Sequence, residues 1–168
     1  MQPAFVPFTL IDIGAQQTRV VAGVGSAEHA TLELALGSVA TAQQFFKLDS
    51  PAPHELERAI DAVELEVMRA RPMIRSESVL FAHGAALDEL GRAAGATGEK
   101  AVIAREAVEQ LFQRLASASL GDPMARRGLP SGNAFAATVL ILREFMHHLG
   151  FATVTFRSPT SAGAQTPK

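Results

Sequence analysis

Residues 133–149, NAFAATVLILREFMHHL, form a helix-length segment that is apolar almost all round, from Phe135 through Leu149. A helix with no polar stripe cannot sit on a surface, so other elements must cover it on every side. A chain that carries such a helix has to fold in layers, with this one in the middle. The densest apolar run, AFAATVLIL at 134–142, is interrupted by Arg143 and Glu144. That is far short of the roughly 20 apolar residues that a bilayer requires. The segment therefore reads as a core helix.

The rest of the composition narrows the class. Hydrophobic residues make up 48% of the 168 residues and charged residues 19%, the profile of an ordinary globular domain. A net charge of −2, with no block of like charge, gives no basis for a nucleic-acid surface or an anionic-membrane partner. The lack of cysteine excludes disulfides, thiol nucleophiles and thiolate zinc sites. The start, MQPAFVPFTL, lacks the basic region and long apolar core of a signal peptide, so a cytoplasmic protein is expected.

Local patterns give the element order. FTLIDIG (8–14) and TRVVAGV (18–24) are short, β-branched runs around a tight loop, which reads as a β-hairpin. TLELALG (31–37) alternates Leu32, Leu34 and Leu36 with Thr31, Glu33 and Ala35, the period of a strand with one better-buried face. A short helix spans about 38–47. After Pro51 and Pro53 a longer helix starts near His54, with Leu56, Ile60, Val63 and Val67 at helical spacing, and Pro72 stops it near Arg71. SVLFAHG (78–84) reads as a fourth strand and AALDELGRAA (85–94) as a helix. Residues 95–100 read as a loop and about 102–118 as an amphipathic helix through Val108, Leu111, Phe112 and Leu115. The Pro/Gly-rich GDPMARRGLPSG (121–132) leads into the apolar helix, and TVTFR (153–157) is a last strand. The order is β-β-β-α-α-β-α-α-α-β without an internal repeat. One α/β domain over 1–157 and a polar, fraying tail at 158–168 are expected.

Three stretches in this order resemble a known family: the IDIG hairpin, LALGSVATAQQFF (34–46), and RRGLPSGNAFAATVLILREFMHHLGFATVTF (126–156). Together they resemble the second domain of the exopolyphosphatase/guanosine pentaphosphate phosphohydrolase (Ppx/GppA) family, over about residues 8–156. The resemblance implies an actin-like ATPase-type (ribonuclease H-like) domain, with a mixed five-stranded sheet flanked by helices. Family members set two such domains face to face around polyphosphate or a guanosine polyphosphate. The first domain, with its catalytic glutamate, has no counterpart in this sequence.

The resemblance assigns candidate phosphate-binding residues: Asp12, Gly14, Gln16, Gln17, Thr18, Arg19 and Gly84. Asp12 matches the family's acid, Gly14 its first loop glycine and Thr18 its threonine. A turn of this kind holds an anion by aiming consecutive backbone N–H groups into a concavity. Ala15 and Gln16 stand where the family has glycine, and a left-handed backbone at either would cost about 1 kcal/mol or more. Gln17 replaces a serine, and Arg19 reverses the charge of a glutamate. Arg19 is open to two readings, a phosphate contact or a solvated strand residue paired with Asp12 or Glu33. Gly84 matches the family's glycine/threonine-rich turn, and Ala85 lacks the expected hydroxyl.

His83, at a strand end, reads as a packing residue, and Arg157 and Ser158 as remnants or tail. His147 and His148 diverge by about 100° on a helix and cannot share a metal, so no metal site is expected. Glu57, Asp61, Glu64 and Glu66 read as a solvated helix face. With Asp12 the sole residual catalytic candidate, the chain is expected to be a non-catalytic relative that acts by protein association or weak phosphate binding. The alternative is an exopolyphosphatase or guanosine polyphosphate phosphatase completed by a partner domain or dimerisation, with Mg2+ implied only for that active form. A homodimer or a separately encoded partner domain is expected, and phosphate, polyphosphate or a guanine nucleotide is the ligand class. An adaptor of the cytoskeletal sort would share the fold, and fold alone does not argue for it.

Overall fold

The computed structural model describes residues 5–157. The expected tail at 158–168 lies outside them. The elements run β1 (Pro7–Ile13), β2 (Thr18–Val24), β3 (Ala27–Leu34), α1 (Ser38–Phe45), α2 (Pro53–Val67), a 3-10 turn (Met68–Met73), β4 (Val79–His83), α3 (Ala85–Ala93), β5 (Lys100–Ala104), α4 (Arg105–Ser119), α5 (Asn133–Leu149) and β6 (Thr153–Arg157).

The strands form one mixed sheet in the order β3-β2-β1-β4-β6-β5. β1 is antiparallel to β2 and parallel to β4, which is parallel to β6, while β3 and β5 are antiparallel edges. The sheet has six strands where five were expected. The additional one is β5, in a stretch read as loop and helix start. Its five residues, KAVIA, are too short to show a period, and only antiparallel pairing with β6 makes them a strand. β3 also starts earlier than expected and stops at Leu34, leaving Leu36 to lead into α1.

Helix α5 matches its expected bounds and lies in the interior. Phe135 to Leu142, Glu144, Phe145 and Met146 are all buried. Its neighbours are α1, α2, α3 and α4, and the sheet residues Ile11, Ile13, Val20, Leu80, Ala82, Val154 and Phe156 join the same core cluster. Gly150, at φ +78, ends the helix in the left-handed conformation that glycine adopts without penalty. No helix among the described residues is long and apolar enough to cross a membrane.

Candidate functional site at the carboxyl ends of β1 and β4

Parallel neighbours in an α/β sheet bring their carboxyl ends to one edge, where such folds bind ligands. Here the pairing of β1 with β4 sets Asp12 directly beside His83. The Asp12 carboxylate lies 3.6 Å from His83 Nδ1, and both side chains are partly open to solvent. Gly84 follows at φ +104, and a Cβ there would sit 2.4 Å from Asp12 Oδ1. Glycine at 84 thus lets the end of β4 close on the carboxylate before α3 begins. His83 is exposed rather than packed, contrary to its reading as a packing residue. The signal that sequence reasoning missed was the in-register pairing of the two strands that carry Asp12 and His83.

The β1–β2 turn is tied to α1. Gly14 N–H donates to the Gln17 carbonyl at 2.9 Å. The Gly14 carbonyl accepts from Ser38 N–H at 2.9 Å, and the Ala15 carbonyl accepts from Val39 and Ala40 N–H at 3.0 and 2.9 Å. These bonds satisfy the amides that the first turn of a helix leaves without partners. Gly37 is glycine because a Cβ there would meet the Ala15 carbonyl oxygen at 2.3 Å. Neither Ala15 nor Gln16 takes a positive φ, so neither carries the left-handed penalty that the sequence raised. Ala15, Gln16 and Gln17 are exposed, and among the described residues their amides donate to no protein acceptor.

The two side chains that follow are engaged elsewhere. The Thr18 hydroxyl is fully buried and donates to the Leu36 carbonyl at 2.8 Å, which ties the hairpin to the chain after β3. Arg19 Nε lies 3.7 Å from a Glu33 carboxylate oxygen across the β2–β3 ladder, the pairing weighed as one of its readings. Of the seven candidates, Asp12 and Gly84 therefore meet. Gly14, Gln16 and Gln17 form the turn, Thr18 faces inward, and Arg19 turns to the sheet edge.

A second cluster of charge lies within the helical layer. Glu144 is 2% exposed, and its oxygens take hydrogen bonds from Arg143 at 2.5 Å and from the His148 ring at 2.9 Å. Arg143 also reaches Glu109 at 2.6 Å and stacks over Phe112, 4.2 Å from the ring centroid. Burial is the largest single influence on Glu109 and raises its pKa. The hydrogen bonds from Arg143 and Gln113 and the Arg143 charge together outweigh it, so its carboxyl lies below the ordinary value. His148 further approaches Glu64 at 3.8 Å, so Glu64 belongs to this network rather than to a wholly solvated face. Glu64, Glu144 and His148 hold ligand atoms within 4.8 Å of one another, a spacing that could accept a cation. The i, i+4 spacing of Glu144 and His148 on α5 is the signal in the sequence that marks this pair.

No protein-family model matches this chain, and no curated protein matches it in sequence. Solved structures do match in fold. The Aquifex aeolicus Ppx/GppA enzyme superposes with a TM-score of 0.74 at 16% identity, over 93% of this chain and 54% of that one. An exopolyphosphatase from Cytophaga hutchinsonii gives 0.66 at 12% identity, over 92% of this chain and 54% of that one. An exopolyphosphatase-like protein gives 0.67 at 11% identity, with 92% and 54% coverage. The fold is that of an actin-like domain as found in Ppx/GppA phosphatases. The chain spans about half the length of the structures it matches, consistent with one such domain.

Proposed function

We propose that this chain is a degenerate relative of the Ppx/GppA phosphatases that does not hydrolyse a phosphoanhydride on its own. It acts by association with another protein or a second copy, and holds a phosphate-bearing ligand weakly at the β1–β2 turn. One observation carries this reading: the turn is committed to the protein. Its Gly14 and Ala15 carbonyls cap α1, Thr18 bonds to Leu36, and Arg19 leans toward Glu33. Phosphoryl transfer needs a positioned water, a base and groups that neutralise charge on the transferring phosphoryl. Among the described residues the ends of β1 and β4 offer one carboxylate, Asp12, and one imidazole, His83. The unpartnered amides of Ala15 to Gln17 are what remains for binding an anion.

The Asp12–His83 pair favours a second reading, an exopolyphosphatase or guanosine polyphosphate phosphatase that is active once a companion domain completes the cleft. In that form Asp12 is the residue available to an Mg2+ ion. Release of phosphate from polyphosphate and from guanosine pentaphosphate, with and without magnesium, separates the two. The isolated chain is expected to release none, while titration calorimetry with polyphosphate registers weak binding that salt abolishes. Turnover that disappears in Asp12→Asn would overturn the non-catalytic reading.

A further inference from the structure

Among the described residues, helices cover the sheet on one side only. The connections from β3 to β4 and from β4 to β6 both advance in the same direction across the sheet, and right-handed crossovers of that kind put their helices on one face. Ile11, Leu80, Ala82, Val154 and Phe156 point to that helical face and are buried. The alternate positions point the other way: Phe8, Leu10 and Asp12 on β1, Val79, Phe81 and His83 on β4, Val102 on β5. Among the described residues no helix lies over them. A shallow cleft of 330 Å³ opens between Val6, Phe8, Leu10, Val79 and Phe81, with Arg157 stacked over the Phe81 ring at 4.4 Å. Val102 is 62% exposed and Phe5 71%.

We propose that this bare face is a self-association surface on which two copies pack sheet to sheet, with Phe8 and Phe81 at the centre. The inference rests on the association part of the reading above and names its surface. Charge selects a second copy as the occupant. At the carboxyl end of the face, cross-strand pairing gives Glu33 at the β3 edge and Lys100 at the β5 edge. Asp12 and His83 stand between them, on the two middle strands. A two-fold axis parallel to the strands, between β1 and β4, lays the β3 edge of one copy over the β5 edge of the other. Glu33 then faces Lys100 of the second copy, and Asp12 faces its His83. The same axis sets Arg19 against Arg157 of the second copy. That like-charge opposition is reduced by the turn of Arg19 toward Glu33 and of Arg157 onto the Phe81 ring, and is outnumbered by the Glu33–Lys100 and Asp12–His83 pairs. Six strands at about 4.8 Å spacing and five residues of about 3.3 Å give a footprint of roughly 24 by 17 Å. That is small for an interface, so a dissociation constant in the micromolar range or weaker is expected.

The test is the light-scattering mass of the full chain at about 100 µM, a concentration that this footprint requires. Wild type is expected to rise well above the 17.8 kDa of one chain, toward twice that value. Val102→Glu, at an exposed position, is expected to return it to one chain with an unchanged circular-dichroism spectrum. Lys100→Glu and Glu33→Lys should each weaken association about tenfold, and an equimolar mixture of the two should restore it, since every reversed side chain then meets its opposite. A single-chain mass for wild type, or a dimer indifferent to all three substitutions, overturns the proposal. Hydrolysis by the wild-type chain would defeat the non-catalytic reading and leave this surface standing. A monomer that still binds polyphosphate would do the reverse.

Discussion

At the scale of single residues, the site is built from close approaches that only glycine permits. Gly84 and Gly95 both hold a positive φ, at +104 and +93, and differ in what a Cβ would meet. At Gly84 it strikes Asp12 Oδ1 at 2.4 Å, while at Gly95 nothing lies within 4 Å. Gly95→Ala should therefore lose only the backbone term of about 1 kcal/mol, and Gly84→Ala about 2–3 kcal/mol in all. Denaturant midpoints would read the gap, and Asp12→Ala should narrow it by removing the atom that is struck. If Gly84→Ala costs no more than Gly95→Ala, Asp12 does not abut β4 as described. Gly14 and Gly84 were legible in the sequence through the family resemblance. The Thr18 bond to Leu36 was not, since no local pattern shows which carbonyl a buried hydroxyl will find.

At the scale of elements, helix α2 starts on half of a capping box. Ala52, at the N-cap, has no side-chain acceptor to offer the helix. Glu55 still reaches back, accepting from Ala52 N–H and Lys47 N–H at 2.9 Å each. These two backbone hydrogen bonds, with that from Ala52 the larger influence, hold the Glu55 carboxyl below its ordinary value of 4.5. A carboxyl whose pKa is lower folded than unfolded stabilises the fold above the unfolded value. Its contribution is full above about pH 4.5 and is lost as pH falls through the folded value. Glu109 shifts in the same direction and adds to the same acid loss. The thermal midpoint of wild type should fall below about pH 4.5, and Glu55→Gln should start lower at neutral pH and fall less steeply. Parallel curves for the two proteins would dismiss Glu55 as a source. The bounds of α5 and the start of α2 could be read from sequence within a residue. But α2 ends at Val67, about four residues before the stop expected near Arg71, because the chain tightens into a 3-10 turn ahead of Pro72. β5 could not be read, because its strand character is supplied by β6 rather than by KAVIA itself.

At the scale of the whole molecule, stability should be graded from α5 outward. The helix is enclosed by four others and by the sheet, so exchange of its amides requires opening of the whole core. β5 has one neighbour, β6, and four of its five residues are exposed or only partly buried. An edge of that kind can separate by itself, at the cost of one ladder and little apolar contact. Hydrogen exchange should therefore show residues 136–146 protected to the limit of global unfolding, β1 and β4 close behind, and residues 100–104 exchanging orders of magnitude sooner. The same experiment bears on the bare sheet face, since β5 forms one margin of the proposed contact. Run at low and at high protein concentration, it should show protection of residues 100–104 growing with concentration while α5 stays unchanged. Early exchange in α5, or a β5 as slow as the core under dilute conditions, would mean that the layers are not organised around the apolar helix.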